Sequence, residues 1–181
     1  IQKFWRWWLS EITQIIPDRA LKLLTRGQEL LVLTLDQDQW VIRRIQGAQE
    51  SEINRIALND LGPGHFAEFI AEHPDLAETK IALRLIKGQG LRRQFKLPMA
   101  AEENLAQVIA LEMDRLTPFT QDQVSFATRV LSRTKATRQI LVELILAPRD
   151  FLENALDTLS RAGWHPVSVH LEGETKTNEY N

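Results

Sequence analysis

Residues 30–45 read LLVLTLDQDQWVIRRI. The first six residues form an apolar run that suits a β-strand, and residues 40–45 form a second run of the same kind. The four residues between the runs, Asp36 to Gln39, are polar and predict a tight turn. The stretch therefore predicts a β-hairpin, which we place in a small strand–helix lobe spanning residues 27–80.

The segment before this hairpin, residues 1–26, is rich in tryptophan and predicts helices. Its apolar residues recur at helical spacing until Pro17, and they are Phe4, Trp5, Trp8, Ile12, Ile15 and Ile16. After the hairpin, residues 47–59 favour a short or irregular strand. A break at residues 61–64 then precedes a short helix around Phe66 and Phe69.

The remainder of the chain, residues 81–172, predicts the order strand, strand, helix, strand, strand, helix, strand. Residues 88–90 predict a hairpin turn between the first two strands. Asp150 and Glu153 predict a capping box for the second helix, and residues 173–181 form a polar tail. We expect an α+β fold in which two helices cover one face of a mixed, mostly antiparallel sheet. The apolar face of the first helix consists of Leu105, Val108, Ile109, Met113 and Leu116.

The composition of the 181-residue chain is that of a soluble globular protein, with 44% hydrophobic and 25% charged residues. Its formal net charge of -2 disfavours a uniformly basic nucleic-acid-binding protein. The lack of cysteine excludes disulfides, cysteine-based zinc sites and thiol catalysis. No apolar run reaches the length of a transmembrane helix. Because the chain begins with Ile1, we expect a processed or excised fragment.

The histidines do not indicate a metal site. None of the four pairs with another at metal-ligand spacing, and they are His65, His73, His165 and His170. His170 and Glu172 are two residues apart and are expected at a solvated strand end. The sequence also lacks a P-loop, a nucleophile elbow and a zinc-protease motif. We therefore expect no catalytic residue, no cofactor and no metal.

Asp36 and Asp38 are the sequence feature that comes nearest to a nucleotide site. Paired carboxylates after a strand can hold a magnesium-bound nucleotide. In such a hairpin, however, glycines in the turn let backbone N–H groups reach the phosphate, and here Gln37 and Gln39 occupy those places. The turn therefore argues against a phosphate site.

Two basic clusters fall on predicted hairpins. The first has six cations without an intervening acid, and the second has four; they are Lys80, Arg84, Lys87, Arg92, Arg93 and Lys96, then Arg129, Arg133, Lys135 and Arg138. We expect both to line one edge of the sheet. Protection of that edge against strand pairing and contact with an acidic partner or anionic lipid both explain them. Nucleic acid fits less well, since no exposed aromatic pair interleaves with these charges.

The aromatic start of the chain has two explanations. Trp5, Trp7 and Trp8 are candidate membrane-proximal residues, since tryptophan favours the membrane interface. A helix docked on the domain explains the same pattern.

The motifs of the second half resemble a known family. The stretch Leu97 to Leu105 leads into the octet of residues 112–119, which reads EMDRLTPF, and the sequences APR at 147–149 and AGWHP at 162–166 follow. This succession resembles the cytoplasmic region of general secretion pathway protein L and of PilM/PilN-type pilus assembly proteins. The similar unit in those proteins is a strand–helix–strand–strand module inserted into actin-like proteins and also found in the cell-division protein FtsA. Residues 7–12, WWLSEI, are similar to the start of these proteins.

This resemblance implies an actin-like (ribonuclease H-like) fold, reduced and degenerate relative to the full actin-like ATPases. It implies a non-catalytic scaffold on the cytoplasmic face of the bacterial inner membrane, in a type II secretion or type IV pilus platform. The expected partners are the system's ATPase and other inner-membrane platform proteins, with a homodimer left open and no nucleic acid. A transmembrane helix is expected beyond residue 181.

The residues that we expect to contact a partner come from the first basic cluster and the octet. Within the octet, Glu112 and Arg115 are three residues apart and can pair on the exposed face of a helix, while Phe119 can anchor the following loop in the core. A structural role therefore competes with partner contact. The candidate partner-binding residues are Arg84, Lys87, Arg92, Arg93, Glu112, Arg115 and Phe119.

Two functions of other classes compete with the scaffold. One is an actin-like ATP-binding protein, and the other is a ferredoxin-like RNA-binding module. The scaffold is preferred because motifs for chemistry are missing while the order of the family motifs is present.

Overall fold

The hairpin predicted from residues 30–45 is present. In the computed structural model, which describes residues 29–172, strand β1 spans Glu29–Asp36 and strand β2 spans Gln39–Gln46. The two strands pair antiparallel along their whole length. Their two-residue turn holds Gln37 at a φ of 53°, in the left-handed region that tight hairpins use. The expected segments 1–26 and 173–181 lie outside the described residues.

Further strands and helices follow the hairpin. The strands are β3 Gln49–Ala57, β4 Lys80–Leu85, β5 Leu91–Pro98, β6 Val124–Thr134, β7 Gln139–Pro148 and β8 Ser168–Leu171. The α-helices are α1 His65–Glu72, α2 Leu105–Leu111, α3 Met113–Leu116 and α4 Arg149–Arg161. Short 3-10 helices span Pro74–Leu76, Met99–Asn104 and Gln121–Gln123.

A five-stranded sheet with the order β3-β2-β1-β4-β8 forms the larger half of the fold. Strands β1, β2 and β3 run antiparallel as a meander, whereas β4 and β8 add parallel to β1. Strand β3 forms where the sequence pattern was ambiguous, because β2 offers it a partner edge. Alternation along the strands gives the sheet one face that carries Leu31 and Leu33 and an opposite face that carries Val32 and Thr34.

Helices α1 and α4 pack on the face that carries Leu31 and Leu33, which we call the helix face. The core there includes Phe69 of α1 and Leu156 of α4. Trp164 follows α4, and its ring lies 5.0 Å from that of Phe69 between centroids. Gly163 ends α4 at a φ of 89°, as a glycine after a helix does. The α+β class, with helices on one face of a mixed sheet, is confirmed.

A second, three-stranded antiparallel sheet has the order β5-β7-β6. With α2 and α3 it buries its own core around Ile109, Met113, Val142 and Leu144. We call residues 91–148, which hold these elements, the module; its order is strand, helices, strand, strand. The expectation that residues 81–172 share one sheet is wrong, since β4 pairs with β1 on one side and with β8 on the other, in the larger sheet. The boundaries expected at residues 80 and 81 stay a prediction.

The expected hairpin at residues 88–90 is also wrong. Strand β4 already has β1 on one side and β8 on the other, so no edge is left for β5, which pairs with β7. The turn carries the chain from one sheet to the other. Gly90 is needed there, because a Cβ at this position would lie 2.9 Å from the Leu146 carbonyl oxygen.

Two details of the predicted helices differ. The helix expected up to Leu116 is interrupted at Glu112, whose φ of -100° and ψ of 9° are not helical. The capping box at Asp150 is wrong, because α4 starts at Arg149 and Pro148, two residues before Asp150, takes the N-cap position without a side-chain hydrogen bond.

Candidate partner-binding surfaces

A polar cleft lies at the carboxyl ends of the parallel strands β1, β4 and β8. Open sheets with parallel strands bind ligands at this end, which makes the cleft the first candidate site. It contains two of the predicted partner-binding residues, Arg84 and Lys87. Its volume is about 480 Å³, and it is lined by Thr34, Asp36, Arg43, Glu50, Arg84, Ile86, Lys87 and Glu172.

The charges in the cleft balance. Three carboxylates face three cationic side chains, namely Asp36, Glu50 and Glu172 against Arg43, Arg84 and Lys87. Glu50 is central, because its Oε1 lies 2.6 Å from Nη1 of Arg84 and 3.7 Å from Nε of Arg43. The cleft therefore lacks the excess of positive charge that would attract a polyphosphate.

The hairpin turn beside the cleft is held by hydrogen bonds from the loops that follow β3 and β4. The Asp38 carbonyl accepts the N–H of Leu58 at 2.7 Å. Gln89, in the loop after β4, donates from Nε2 to the Leu35 carbonyl at 2.7 Å and accepts the Ile86 N–H at 3.0 Å. Because a side chain stands at the left-handed position of the turn, no glycine backbone is open to a phosphate here.

An ion network continues from the cleft along β2 and β3. Arg55 donates two hydrogen bonds of 3.0 Å to the carboxylate of Glu52, which hold the pKa of Glu52 below its ordinary value. Arg43 lies 3.7 Å from the same carboxylate. These exposed carboxylates and guanidinium groups are matched to one another, so this face presents little unpaired charge to a partner.

Arg92 and Arg93 both lie on β5, but they do different things. Arg92 donates from Nη2 to the Leu171 carbonyl at 3.2 Å and so bridges the two sheets. Arg93, pointing to the other face of the strand, donates to the Leu116 carbonyl within the octet. Arg92 therefore belongs to the junction between the sheets, whereas Arg93 contacts the backbone of the octet, which also holds Glu112, Arg115 and Phe119.

The octet has the ion pair and the Phe119 anchor that its sequence predicts, although Glu112 lies at the break between α2 and α3. Arg115 donates to Glu112 Oε2 at 2.8 Å, and the two side chains are 76% and 42% exposed. Phe119 is partly buried and packs against the core of the module. Thr117, which is buried, donates to the Met113 carbonyl at 2.9 Å and accepts the Phe119 N–H at 3.2 Å, so it closes the turn after α3.

The two basic clusters do not line one edge, contrary to the expectation. Lys80 and Arg84 lie on the interior strand β4 of the larger sheet, whereas Arg92 and Arg129 lie on the two edges of the smaller one. Most members are paired within the fold. Arg133 forms a bidentate pair with Glu102, which lowers the pKa of Glu102 below its ordinary value.

Sequence reasoning missed several residues. Glu143 is 3% exposed on β7, with its carboxylate 2.9 Å from Arg129 and 3.9 Å from Arg92. The sequence feature that could have indicated its burial is a single acidic residue inside the apolar run of residues 140–147. Leu111 is 73% exposed beside Glu112, and its position off the apolar helix face was the clue. His170 was expected in solvent, but it is 1% exposed and lies 2.9 Å from the Ser168 hydroxyl.

The remaining expectations concern the aromatic start of the chain, a membrane-spanning helix and a metal site. Trp5, Trp7 and Trp8 lie outside the described residues. Within residues 29–172, no helix is long and apolar enough to cross a membrane. In the same range, no three side chains of the types that bind metals are grouped as a metal site.

Comparisons with known proteins agree with the predicted resemblance. No protein-family model matches the sequence. The type II secretion system protein L of Xanthomonas campestris pv. campestris is 32% identical over 151 residues, which are 83% of this chain and 39% of that protein. The chain thus spans well under half of the length of this curated relative.

Two solved structures share the fold. The cytoplasmic domain of EpsL, an inner-membrane component of the type II secretion system of Vibrio cholerae, matches with a TM-score of 0.56 and 16% identity over 80% of this chain and 57% of that one. The PilM–PilN type IV pilus biogenesis complex matches with a TM-score of 0.52 and 16% identity, over 80% of this chain and 48% of that one. The chain therefore shares the fold of these two structures, and it is similar in sequence to part of the type II secretion system protein L.

Proposed function

We propose that this chain is a non-catalytic scaffold domain of a type II secretion or type IV pilus platform at the inner membrane. The observation that carries the proposal is the 32% identity with type II secretion system protein L over 83% of the chain. In this function the domain lies on the cytoplasmic side of the membrane and recruits the ATPase of the system, together with other platform proteins.

The chemistry of the cleft supports a scaffold over an enzyme. Its cations are matched by Glu50 and the other lining carboxylates, and the adjacent turn lacks a glycine cradle. A nucleotide needs donors that remain available after folding, whereas Arg84 and Arg43 already contact an acid. The charged side chains of the cleft pair with one another and in this way join the strands of the sheet.

The module offers a better surface for a protein partner. We define the octet surface as Leu111, Glu112 and Arg115, which are adjacent along the break between α2 and α3. An exposed leucine beside charged side chains is the mixture typical of transient protein interfaces. The edge strands of the three-stranded sheet, β5 and β6, have no further strand paired with them within the described residues, and such edges can accept an added strand.

A charge swap tests the octet surface without removing its ion pair. The double variant Glu112→Arg with Arg115→Glu keeps the two groups able to pair, but it inverts the charges that a partner meets. The matched control is Asp157→Arg with Arg161→Glu on α4, an ion pair of similar exposure on the other half of the molecule. Co-purification with the amino-terminal domain of the cognate ATPase is the measurement.

We expect the octet swap to weaken ATPase binding at least tenfold and the α4 swap to leave it unchanged. Equal binding by both variants would exclude the octet surface. If the unmodified chain fails to bind while the full-length protein binds, recruitment resides elsewhere and the proposal is wrong for this domain.

ATP binding is the second candidate function, because the cleft has the location of a ligand site in a sheet with parallel strands. Calorimetry of the chain with millimolar ATP and magnesium tests it directly. We expect no heat of binding, and a saturable signal that Arg84→Ala abolishes would favour the nucleotide function over the scaffold. Retention of the chain on polyuridine at physiological salt would instead favour the RNA-binding module.

A further inference from the structure

Within the described residues, β3, β8, β5 and β6 are the edge strands of the two sheets, and β5 differs from the other three. Strand β8 has only four residues. The pairing of β3 with β2 shifts register beside Ile42, and the pairing of β6 with β7 shifts register beside Val130. Short length and irregular pairing are common ways of protecting a sheet edge. Strand β5 has neither, because it pairs with β7 over eight residues without a shift.

Alternate residues of β5 direct their backbone groups away from β7. The Met99 N–H donates to the Arg138 carbonyl at 2.8 Å, which extends the β5–β7 register by one hydrogen-bonded pair. Because such pairs alternate along an antiparallel ladder, the odd-numbered residues of β5 bond to β7 and the even-numbered residues face outward. Pro98, which has no N–H, falls in the outward set, where an edge strand tolerates proline. The outward N–H groups are those of Arg92, Gln94 and Lys96.

The side chains of β5 determine the chemistry of a strand that this edge could accept. The strand contains three cations and no acid, and the exposed Arg138 adds a cation beside its end. Among residues 29–172, neither Lys96 nor Arg138 has an ion-pair partner, and both are exposed. On the other face of the strand, Phe95 and Leu97 are partly buried and pack against the core of the module.

We propose that β5 accepts an extended acidic segment of a partner protein as an added strand. The segment alternates carboxylate and aliphatic side chains. Its carboxylates lie on the face of Lys96, and its aliphatic side chains cover Phe95 and Leu97. The inference rests on the proposed scaffold function for the source of this segment, which is another protein of the platform.

A second copy of the chain is a poorer occupant. If two β5 strands paired antiparallel about Gln94, Arg92 of each copy would lie opposite Lys96 of the other. Like charges directly opposite each other in a sheet are destabilising. The cations that disfavour pairing between two copies attract an acidic strand, so this edge favours a partner of different charge.

A peptide titration tests the edge independently of the ATPase. The probe is a short blocked peptide of alternating glutamate and valine, and the control peptide alternates lysine and valine. Binding is followed through the backbone amide signals of the isotope-labelled chain. Gln94→Pro removes one outward N–H, whereas Gln94→Ala keeps that N–H and loses the same side chain, including its 3.2 Å hydrogen bond to Glu143.

A proline on the opposite edge of the same sheet provides a second control. Thr128 of β6 lies opposite Leu144, whose backbone bonds to β5, so the Thr128 N–H faces away from β7. Thr128→Pro therefore blocks the β6 edge in the same way as Gln94→Pro blocks the β5 edge.

We expect saturable binding of the glutamate peptide, with the largest shifts and slowed solvent exchange at the amides of Arg92, Gln94 and Lys96. Gln94→Pro should weaken binding by about tenfold or more, because the added strand loses a donor and meets the proline ring. Gln94→Ala and Thr128→Pro should bind as the unchanged chain does. Lys96→Glu, which leaves the backbone intact, should also weaken binding.

Several results would overturn the proposal: no saturable binding, equal binding of the two peptides, shifts confined to β6, or full binding by both Gln94→Pro and Lys96→Glu. Shifts of the same three amides on concentrating the chain alone would also overturn it, because the occupant would then be a second copy. Co-purification with the ATPase tests the scaffold function separately. A chain that binds the glutamate peptide but not the ATPase would contradict recruitment of the ATPase and leave the edge assignment standing.

Discussion

The two sheets handle polar side chains in different ways. In the five-stranded sheet, Glu50 and its arginines neutralise one another at the cleft, and further ion pairs continue along β2 and β3. In the three-stranded sheet, Glu143 is buried in the central strand between arginines on both edges, while Glu112 and Arg115 remain exposed. The first sheet thus neutralises its charges in partly exposed pairs, whereas the second buries an acid between its two edges.

The largest expected effect concerns the two cores. Leu83→Ala in the five-stranded sheet and Leu144→Ala in the module each remove a nearly fully buried side chain, and we expect each to lower the free energy of unfolding by about 3 kcal/mol. If the sheets unfold separately, urea should melt the Leu144→Ala module while the indole shifts of Trp40 and Trp164 stay native. Simultaneous loss of both cores would show one cooperative unit.

Glu143→Ala should have the next largest effect. Removal of the buried acid leaves Arg92 and Arg129 without their shared partner, and breaking a buried pair is strongly destabilising. Because the arginine side chains are 28% and 43% exposed, water offsets part of the loss, and we expect about 2 kcal/mol by chemical denaturation. An effect below that of the exposed acid Glu112 would mean that Glu143 is not a structural link in this sheet.

A pH dependence should come from Glu102. Its hydrogen bonds from Arg133 lower its pKa in the folded state, so the stabilisation is fully present above the ordinary pKa of a glutamate and is lost as the pH falls through the lowered value. Stability measured between pH 7 and about pH 3 should therefore fall less in Glu102→Gln than in the unchanged chain. Glu52→Gln tests the corresponding pair in the larger sheet. Identical slopes in all three proteins would contradict this.

The smallest effect is expected for the exposed pair of the octet. Glu112→Ala should change the free energy of unfolding by no more than about 0.5 kcal/mol, because solvent screens an exposed ion pair. Its effect should instead appear in ATPase binding. A large loss of stability would show that the octet acts mainly in folding.

Local signals in the sequence predicted much of the fold. The hairpin of residues 30–45 and the Glu112–Arg115 pair of the octet each depend on neighbouring residues, so pattern and spacing suffice. The break of the helix at Glu112 was not predictable, since the apolar periodicity continues across it. The partner-binding role of the predicted residues stays a prediction.

Strand partners were the main error. The residues before and after Gly88 have the pattern of a hairpin, but β4 is occupied on both sides once β1 and β8 pair with it. The burial of His170 follows from the same pairing, because β8 lies beside Arg84 and Leu85 of β4. Pairing between strands that are distant in the sequence depends on the whole chain, so the local residue pattern of a strand does not show which partner it will have.

The sequence by itself determined the α+β class, the first hairpin, the absence of cysteine chemistry and the family resemblance, because each depends on composition, spacing or motif order. Tertiary structure decided that the strands divide into two sheets, that Glu50 neutralises the arginines of the cleft and that Glu143 is buried between two edges. These contacts join residues far apart in the chain, and a charge in a sequence does not show which partner it will meet.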